Sequence, residues 1–405
     1  MNQNPDNAAT TYRYDIWRAP FQGVCESTAA VATLIAIRGF GAEEGGAADT
    51  IKSLLNAAPF IGLLLTTVFL AIAGRTGYRA TSIVAFYLTI CGGLLILSSM
   101  AGGIIGFTAC FVGAYIIFTQ QAPMMIRAYS NNYTPYERGQ RVSTVLLIGS
   151  GSSAAFSFLG SRLLDWKFDW FPVILIFLGV ACLVNAVLVR KIPSPPLEHA
   201  ETGNPLRSIK LAWKDQLFGW LLASWMLMGF ANLMTIPIRV EILANPEYGI
   251  NASNEQVMLA TMVIPQIAGL ISAKFWGALF DRMNFIFWRL CVNTCFFVGM
   301  LLYFNGPSLW VVYLGATLLG MGMGGGRIGW NLWVTKIAPL NKVSAYMSIH
   351  TMLTGVRGVC APFIGYVVLT AFSPPAVGWL SASLIFLSSA MFGMLRRNER
   401  FNRVL

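Results

Sequence analysis

Long apolar segments recur along almost the whole chain and constrain its fold more than any other feature. Each contains roughly 20 mainly apolar residues, which as a helix is enough to cross a hydrocarbon core of about 30 Å. Of the 405 residues, 56% are hydrophobic and only 11% are charged. Because a soluble domain carries about 25% charged residues, the main solvent of this chain is predicted to be a lipid bilayer.

The apolar segments also predict the type of secondary structure. Backbone groups inside a bilayer must form hydrogen bonds within the protein, which leaves only helices and closed β-barrels. Barrel strands alternate apolar and polar residues, whereas these segments are continuously apolar. We therefore expect an all-α integral membrane protein with twelve transmembrane helices. The predicted spans are 17–37, 51–74, 80–100, 104–125, 142–162, 171–189, 216–237, 256–280, 286–305, 308–335, 343–372 and 375–395.

The net charge of +11 is explained by where the basic residues fall along the chain. If the N-terminus is cytoplasmic, 21 of the 28 Lys and Arg residues fall in segments on the cytoplasmic side. The five in outside loops are Arg38, Lys52, Arg162, Lys167 and Arg239. This excess predicts an inner or plasma membrane protein with both termini cytoplasmic. No nucleic-acid partner is needed to account for the charge.

A polar stretch near the middle divides the chain. It begins with the Pro-rich residues 192–196 and ends with a basic run containing Trp213, which is typical of a segment lying on an anionic membrane surface. The predicted organisation is an N-terminal segment 1–16, a six-helix bundle 17–189, a cytoplasmic linker 190–215, a second six-helix bundle 216–395 and a tail 396–405.

The two halves share a sequence pattern. Pro59 precedes a basic turn beginning at Arg75, and Pro265 precedes a turn ending at Arg282, at nearly equal intervals. Pro135 and Pro339 similarly lead into spans 5 and 11. Two bundles of common descent explain this repetition. Parallel repeats of this kind predict a substrate site near the midplane, between the halves.

These turns resemble a motif of the major facilitator superfamily, Gly-x-x-x-Asp-Arg-x-Gly-Arg-Arg. The matching residues are Arg75, Gly77 and Arg79 in the first half, and Gly277, Asp281 and Arg282 in the second. The resemblance implies a secondary transporter that works by alternating access, with these six residues as a conformational gate. Gly74 stands where the first motif has its Asp, so the acidic half of the first gate is missing. No subfamily signature is present.

Charged residues within spans require a physical reason, because a charge near the bilayer centre costs at least about 2.5 kcal/mol. Glu26 lies in span 1 with Gln22 one turn earlier. A carboxylate in this position could carry a coupling proton. It could equally form a structural hydrogen bond or an ion pair between helices.

Arginines in spans 10 and 11 point to an anionic substrate. Arg357 shares a helix face with His350 and Thr354, and Arg327 lies one turn from Asn331. A guanidinium cannot lose its proton, so each arginine must find an anion, whether Glu26 or a bound solute. In the alternative, the arginines only brace the bundle, and His350 simply packs.

Neutral polar residues within the spans widen the candidate site. Those that could offer hydrogen bonds to a solute are Gln120, Gln121, Asn232, Gln266 and Asn293. Each could equally link neighbouring helices. Trp225, Trp276 and Trp330 could line a path for the solute, although packing is the commoner use of tryptophan here.

The chain shows no pattern of an enzyme, a metal site or a cofactor site. It has two histidines, and all seven cysteines lie in predicted spans, where we expect small apolar packing residues. Two G-x-G-x-x-G matches at 320–329 fall inside span 10 and not in a βαβ unit. With no nucleotide-binding motif, the energy source is predicted to be a gradient.

Other functions are compatible with the same spans. A transport-inactive scaffold or assembly factor, a lipid flippase and a drug exporter all remain open at this point. The sequence does not predict an oligomeric state, and a monomer is consistent with it.

Overall fold

The computed structural model describes residues 5–42, 45–197, 210–338 and 343–398. In these ranges the regular elements are helices, and an isolated antiparallel bridge joins Arg79 to Pro196. The helices of the first half are α1 (Pro5–Glu26), α2 (Thr28–Phe40), α3 (Gly46–Gly74), α4 (Ala80–Ser99), α5 (Ile104–Phe118), α6 (Gln121–Asn132), α7 (Pro135–Trp166) and α8 (Phe171–Arg190). Those that follow are α9 (Lys210–Lys214), α10 (Gln216–Ala244), α11 (Asn254–Met258), α12 (Ile264–Arg282), α13 (Phe285–Asn305), α14 (Leu309–Leu332), α15 (Val343–Ala371) and α16 (Pro374–Met394).

These helices confirm the predicted all-α membrane fold. Eleven helical segments in the described ranges are long and apolar enough to cross a membrane. The bent pair α1 and α2 makes a twelfth when it is counted as one span. Two of the eleven contain an internal break, since α5 and α6 together form one span and α11 and α12 form another.

The first span departs from the continuous helix predicted over 17–37. The helix begins at Pro5, and the chain bends by 43° near Ser27. The Ser27 amide and hydroxyl both hydrogen-bond to the carbonyl of Val24, so the helical ladder stops there. The polar residues predicted to form an N-terminal segment are therefore largely the first turns of α1.

A π-helical turn, Leu259–Val263, joins α11 to α12. It ends two residues before Pro265, which lacks the N–H that would bond to the carbonyl four residues earlier. A wider turn at this point accommodates the missing hydrogen bond without ending the span.

The described chain forms two compact units. The first comprises residues 5–197 together with Ser253–Met258, and the second comprises residues 210–252 and 259–398. Within the first unit α1 crosses α7 closely, because a Cβ on Gly23 would lie 1.9 Å from the carbonyl oxygen of Gly149. Within the second, a Cβ on Gly324 would lie 2.5 Å from the carbonyl oxygen of Gly269. Small residues at such crossings let helix backbones pack tightly in a bilayer.

Two basic residues that the sequence assigned to loops lie inside helices. Lys52 and Arg239, which were counted among the residues of outside loops, are buried within α3 and α10, respectively. The assignment was wrong because the helices extend beyond the hydropathic segments, and polar partners accommodate the buried charges. The membrane orientation of the chain remains a prediction.

Candidate functional site

Polar side chains of α1 form a continuous hydrogen-bonded line with α8. Gln22 Nε2 donates to Glu26 Oε1 at 2.8 Å, and Asn185 Nδ2 donates to Gln22 Oε1 at 2.8 Å. Arg18 Nη1 donates in turn to Asn185 Oδ1 at 3.2 Å. The line runs from a group that can only donate, the guanidinium, to a carboxylate that accepts. The predicted pair Gln22 and Glu26 is thus extended by two residues that the sequence did not single out.

Arg18 is also half of a buried ion pair. Its Nε donates to Asp15 Oδ1 at 2.6 Å, and the Tyr129 hydroxyl on α6 donates to the same oxygen at 3.0 Å. Arg18 Nη2 donates to the Tyr129 oxygen at 3.0 Å. Asp15 and Arg18 are only 0% and 4% exposed. The first unit therefore neutralises this arginine with its own acid.

Glu26 is placed differently from its prediction as a charge deep in a span. It is the last residue of α1, and its side chain is exposed. The helix ends at this point because its ladder of hydrogen bonds stops at Ser27. An exposed carboxylate can exchange a proton with water, which a sealed one cannot do.

Arg357 is buried between α15 and α10, in the second unit. Its Nη1 donates to the carbonyl oxygen of Trp225, and its Nη2 donates to Thr354 Oγ1 at 3.2 Å. A Cβ on Gly229 would lie 2.2 Å from the guanidinium carbon. Gly229 therefore leaves the space that the arginine head group occupies.

A second guanidinium, that of Arg289 on α13, lies over the ring of Trp225. Its Cζ is 3.8 Å from the centroid of the Trp225 ring and 5.8 Å from that of Phe392. Arg289 is 0% exposed, and its charge repels that of Arg357. Arg289 lies near the start of the predicted span 286–305 and was not among the predicted site residues.

His350 packs among three tryptophans next to these arginines. Its ring centroid is 5.5 Å from that of Trp225, 5.5 Å from that of Trp330 and 5.3 Å from that of Trp333. Trp330 Nε1 donates to Thr354 Oγ1 at 3.5 Å. The predicted polar residues of α15, His350 and Thr354, thus contact tryptophan side chains.

Several side-chain nitrogens in this region have no hydrogen-bond partner among the described residues. They are all three side-chain nitrogens of Arg289, Nε of Arg357 and Nε1 of Trp225 and Trp333, together with Nε2 of His350. In the same part of the chain, neither arginine forms an ion pair. Buried polar groups normally find partners. We call these five residues, Trp225, Arg289, Trp333, His350 and Arg357, the arginine–tryptophan cluster.

Arg327 does not join this cluster, and its predicted burial is wrong. It is exposed on α14. Gly325 and Gly329, each two residues away, face Trp276 and Trp288. Two residues correspond to about 200° around a helix, so Arg327 points away from that packed face. The Asn331 side chain lies outside the described part of the structure.

The neutral candidates are mostly held by the protein itself. Gln120 Nε2 donates to the carbonyls of Gly62 and Ile116, both at 2.8 Å, and Asn232 Oδ1 accepts from Arg239 at 2.8 Å. Asn293 Nδ2 donates to Ser389 at 3.0 Å. The remaining two, Gln121 and Gln266, are buried and half-buried, respectively.

The predicted gate residues lie at helix ends. Arg75 and Arg79 are exposed in the turn between α3 and α4, where Gly77 has a left-handed φ of 67°. Gly277 lies within α12, and Arg282 is exposed as its last residue. The side chain of Asp281 is outside the described part of the structure.

Other buried polar residues were not recognised in the sequence. Lys52 Nζ lies 3.2 Å from Asp49, one turn away on α3, and the i,i+3 spacing of this pair is visible in the sequence. Glu241 accepts hydrogen bonds from Asn245 at 2.9 Å and from the Tyr366 hydroxyl at 3.0 Å. No local pattern indicates the pairing with Tyr366, which is 125 residues away.

Three of the cysteines predicted to pack within spans lie together. Cys182 Sγ is 3.0 Å from that of Cys25 and 3.7 Å from that of Cys91. Within the described ranges, no group of three His, Cys, Asp or Glu side chains has the arrangement of a metal site.

Comparisons with known proteins agree with the fold. The sequence model of the Major Facilitator Superfamily matches residues 23–353. No curated protein is significantly similar to the chain in sequence.

Solved transporter structures are similar over nearly the whole chain. A mutant of the nucleoside transporter NupG has a TM-score of 0.74 at 12% identity, covering 96% of this chain and 99% of that one. A D-xylose-proton symporter has a TM-score of 0.70 at 13% identity, covering 96% and 98%. A bacterial homologue of the human lysosomal transporter Spinster, in an inward-facing and unoccupied conformation, has a TM-score of 0.67 at 13% identity. The match covers 98% of each chain. At these identities the likeness shows the fold alone.

Proposed function

Because the chain belongs to the Major Facilitator Superfamily, we propose that it is a secondary transporter of a small organic anion, working by alternating access and coupled to protons. The observation that carries this proposal is the arginine–tryptophan cluster. Two buried guanidinium groups there have no acid partner among the described residues.

The charge of the cluster supports an anionic substrate. Removing a guanidinium from water costs several kcal/mol of desolvation, which only a well-placed counter-charge recovers. Arginine keeps its proton under any physiological condition, so Arg289 and Arg357 cannot relieve this cost by becoming neutral. A bound anion supplies the missing negative charge. Because there are two arginines, an anion with more than one negative charge is favoured.

The aromatic residues support an organic solute over an inorganic ion. Indole rings offer apolar surface beside the unpartnered N–H groups of Trp225 and Trp333. Binding sites for organic molecules typically combine such apolar walls with a few convergent polar groups. A carboxylate or phosphate group accepting from Arg289 and Arg357 would leave its carbon skeleton against the rings.

Glu26 is the proposed proton carrier. Its carboxylate is exposed and lies at the end of the hydrogen-bonded line through Gln22 and Asn185. That line orients the carboxylate, because each amide is held by a partner on both sides. The proton gradient then drives the anion, as no nucleotide-binding motif is present in the sequence.

The proposed location is a cytoplasmic-type membrane with both termini on the cytoplasmic side. Basic residues of the predicted loops support this orientation by the positive-inside rule. The gate role of Arg75, Gly77, Arg79, Gly277, Asp281 and Arg282 rests on the resemblance of the two turns and remains a proposal.

A thermal-shift screen tests the substrate class. Purified wild type, Arg357→Gln and Arg289→Gln are heated with organic anions, sugars, amino acids, lipids and cationic drugs. We expect one class of anion to raise the Tm of the wild type and of Arg396→Gln, a charge-matched control at an exposed position, but of neither cluster variant. Stabilisation by cations or lipids alone, or equal stabilisation of all four proteins, would overturn the anion proposal and favour a flippase, drug exporter or scaffold.

Uptake into vesicles tests coupling. With the stabilising anion as substrate, an inward proton gradient should drive accumulation by the wild type and by the control Glu247→Gln, whose side chain is also exposed. Glu26→Gln should exchange anion without accumulating it against a gradient. Accumulation by Glu26→Gln would remove Glu26 from the coupling mechanism while leaving the anion site intact.

A further inference from the structure

A groove in the first unit lies between the adjoining ends of α3, α4 and α8. Its volume is about 790 Å³. It is separate from the hydrogen-bonded line of α1 and does not depend on the proposed substrate. Its lining includes Ile72, Tyr78, Phe86, Thr89, Val187 and Arg190.

The walls of the groove are apolar and uncovered. Ile72 is 55% exposed, Phe86 is 61% exposed and Val187 is 60% exposed. Exposed apolar side chains in a membrane protein pack against other apolar groups. In a membrane protein, acyl chains are the apolar groups available at this surface.

The mouth of the groove is basic. Arg190 ends α8 and lines the groove, while Arg75 and Arg79 are exposed in the turn that contributes Tyr78. Among the described residues, none of these three guanidinium groups has a hydrogen-bond or ion-pair partner. The groove has no Asp or Glu in its lining. The turn itself has Gly74 where the resembling motif carries an acid, so its positive charge is not neutralised locally.

The mouth is held in place by the start of the linker. Thr81 Oγ1 donates to the carbonyl of Ile192 at 2.9 Å, and the Leu197 amide donates to the carbonyl of Tyr78 at 3.0 Å. The basic turn and the end of α8 are thereby tied to each other. A site with fixed walls and a fixed charge loses less entropy on binding than a flexible one.

We infer that this groove binds an anionic phospholipid, with the phosphate against Arg190 and the basic turn and an acyl chain along Phe86 and Val187. The ligand must have both a negative charge for the basic mouth and an acyl chain for the apolar walls. A free anion lacks the acyl chain, and a neutral lipid lacks the net negative charge. Each arginine near a membrane surface strengthens the attraction to anionic lipid about fivefold.

Native mass spectrometry of the delipidated full-length protein tests the inference, by titration with phosphatidylglycerol or phosphatidylcholine. Wild type should prefer phosphatidylglycerol. Arg190→Gln should weaken phosphatidylglycerol binding about fivefold and leave phosphatidylcholine binding unchanged. Thr89→Trp, which fills the groove from its exposed side, should weaken the binding of both lipids. Arg396→Gln, an equal change of charge at an exposed position of the second unit, should change neither.

Three outcomes would overturn the inference. Equal weakening by Arg396→Gln and Arg190→Gln would mean that net charge alone attracts the lipid. Equal weakening of both lipids by Arg190→Gln would mean that the head-group charge is not recognised. Unchanged phosphatidylglycerol binding by Thr89→Trp would place the lipid elsewhere. Because all three positions are exposed, an unchanged Tm should show that the variants fold.

Discussion

Arg18 in the first unit and Arg289 in the second are both buried guanidinium groups, yet their surroundings differ. Arg18 bonds to Asp15, Tyr129 and Asn185, whereas Arg289 stacks on Trp225 and has no hydrogen-bond partner among the described residues. Burial of an arginine therefore does not by itself indicate a ligand site. The informative feature is a buried cation whose own unit provides no acid. In the first unit Asp15 neutralises the charge of Arg18. In the second unit no acid among the described residues neutralises the charge of Arg289.

Removing the acid of the first unit should have the largest effect. In Asp15→Asn, Arg18 becomes a buried cation without a counter-charge, and breaking such a pair costs about 3–5 kcal/mol. We expect a clear fall in the Tm of the purified protein at a fixed heating rate. Asp169→Asn, at an exposed position, is the matched control. A Tm equal to that of the control would mean that Arg18 does not need Asp15, and the contrast between the units would fail.

Crowding the second unit's arginine should have the next largest effect. Gly229→Ala places a methyl group 2.2 Å from the Arg357 guanidinium carbon, so the head group must move. Losing a charge-assisted contact costs about 1.5–3 kcal/mol, and anion affinity in the thermal-shift assay should fall at least tenfold. Gly393→Ala, with nothing near the new methyl group, should behave as wild type. Unchanged anion affinity in Gly229→Ala would separate Arg357 from the anion site.

Trp225→Phe should have a smaller effect. It removes one unpartnered donor and weakens the stack with Arg289, and a desolvated cation–π contact contributes about 2 kcal/mol or less. We expect anion affinity to fall roughly three- to tenfold, with little change in Tm. The control is Trp310→Phe, whose side chain is 80% exposed. Equal affinities for these two variants would argue that Arg289 does not contact the anion.

Asn185→Ala should have the smallest effect. It interrupts the line between Arg18 and Gln22 but leaves the Asp15–Arg18 ion pair intact. A neutral hydrogen bond contributes about 0.5–1.5 kcal/mol, so the Tm should fall less than in Asp15→Asn. The control is Asn305→Ala, an exposed residue that bonds only to its own helix. A fall as large as that of Asp15→Asn would mean that the amide, and not the carboxylate, holds Arg18 in place.

The spans were predicted well because the bilayer acts on each segment locally. The predicted span 286–305 corresponds to the helix Phe285–Asn305, and the predicted span 171–189 corresponds to the helix Phe171–Arg190. Each predicted bound lies within one residue of the helix end. Each helix satisfies its own backbone in lipid, so its length can be read without knowing its neighbours. The break at Ser27 was missed because the residues on both sides of it are equally compatible with a continuous helix.

The candidate site was predicted only in part. Gln22, Glu26, His350 and Arg357 were singled out because a polar group in an apolar span is conspicuous, and their role in a site remains a prediction. Arg289 was missed because it lies near the start of its span and resembles a loop charge.

Charge and hydropathy along the chain were sufficient to predict a helical membrane protein, since those properties depend on composition within each segment. The family resemblance came from the residues of two turns, which begin at Arg75 and end at Arg282. The pairing of Arg18 with Tyr129 and the stacking of Arg289 on Trp225 join residues 111 and 64 positions apart. Which helix faces pack together depends on close crossings such as Gly23 on Gly149. Only the tertiary structure therefore decided which arginine is neutralised and which one has no acid partner among the described residues.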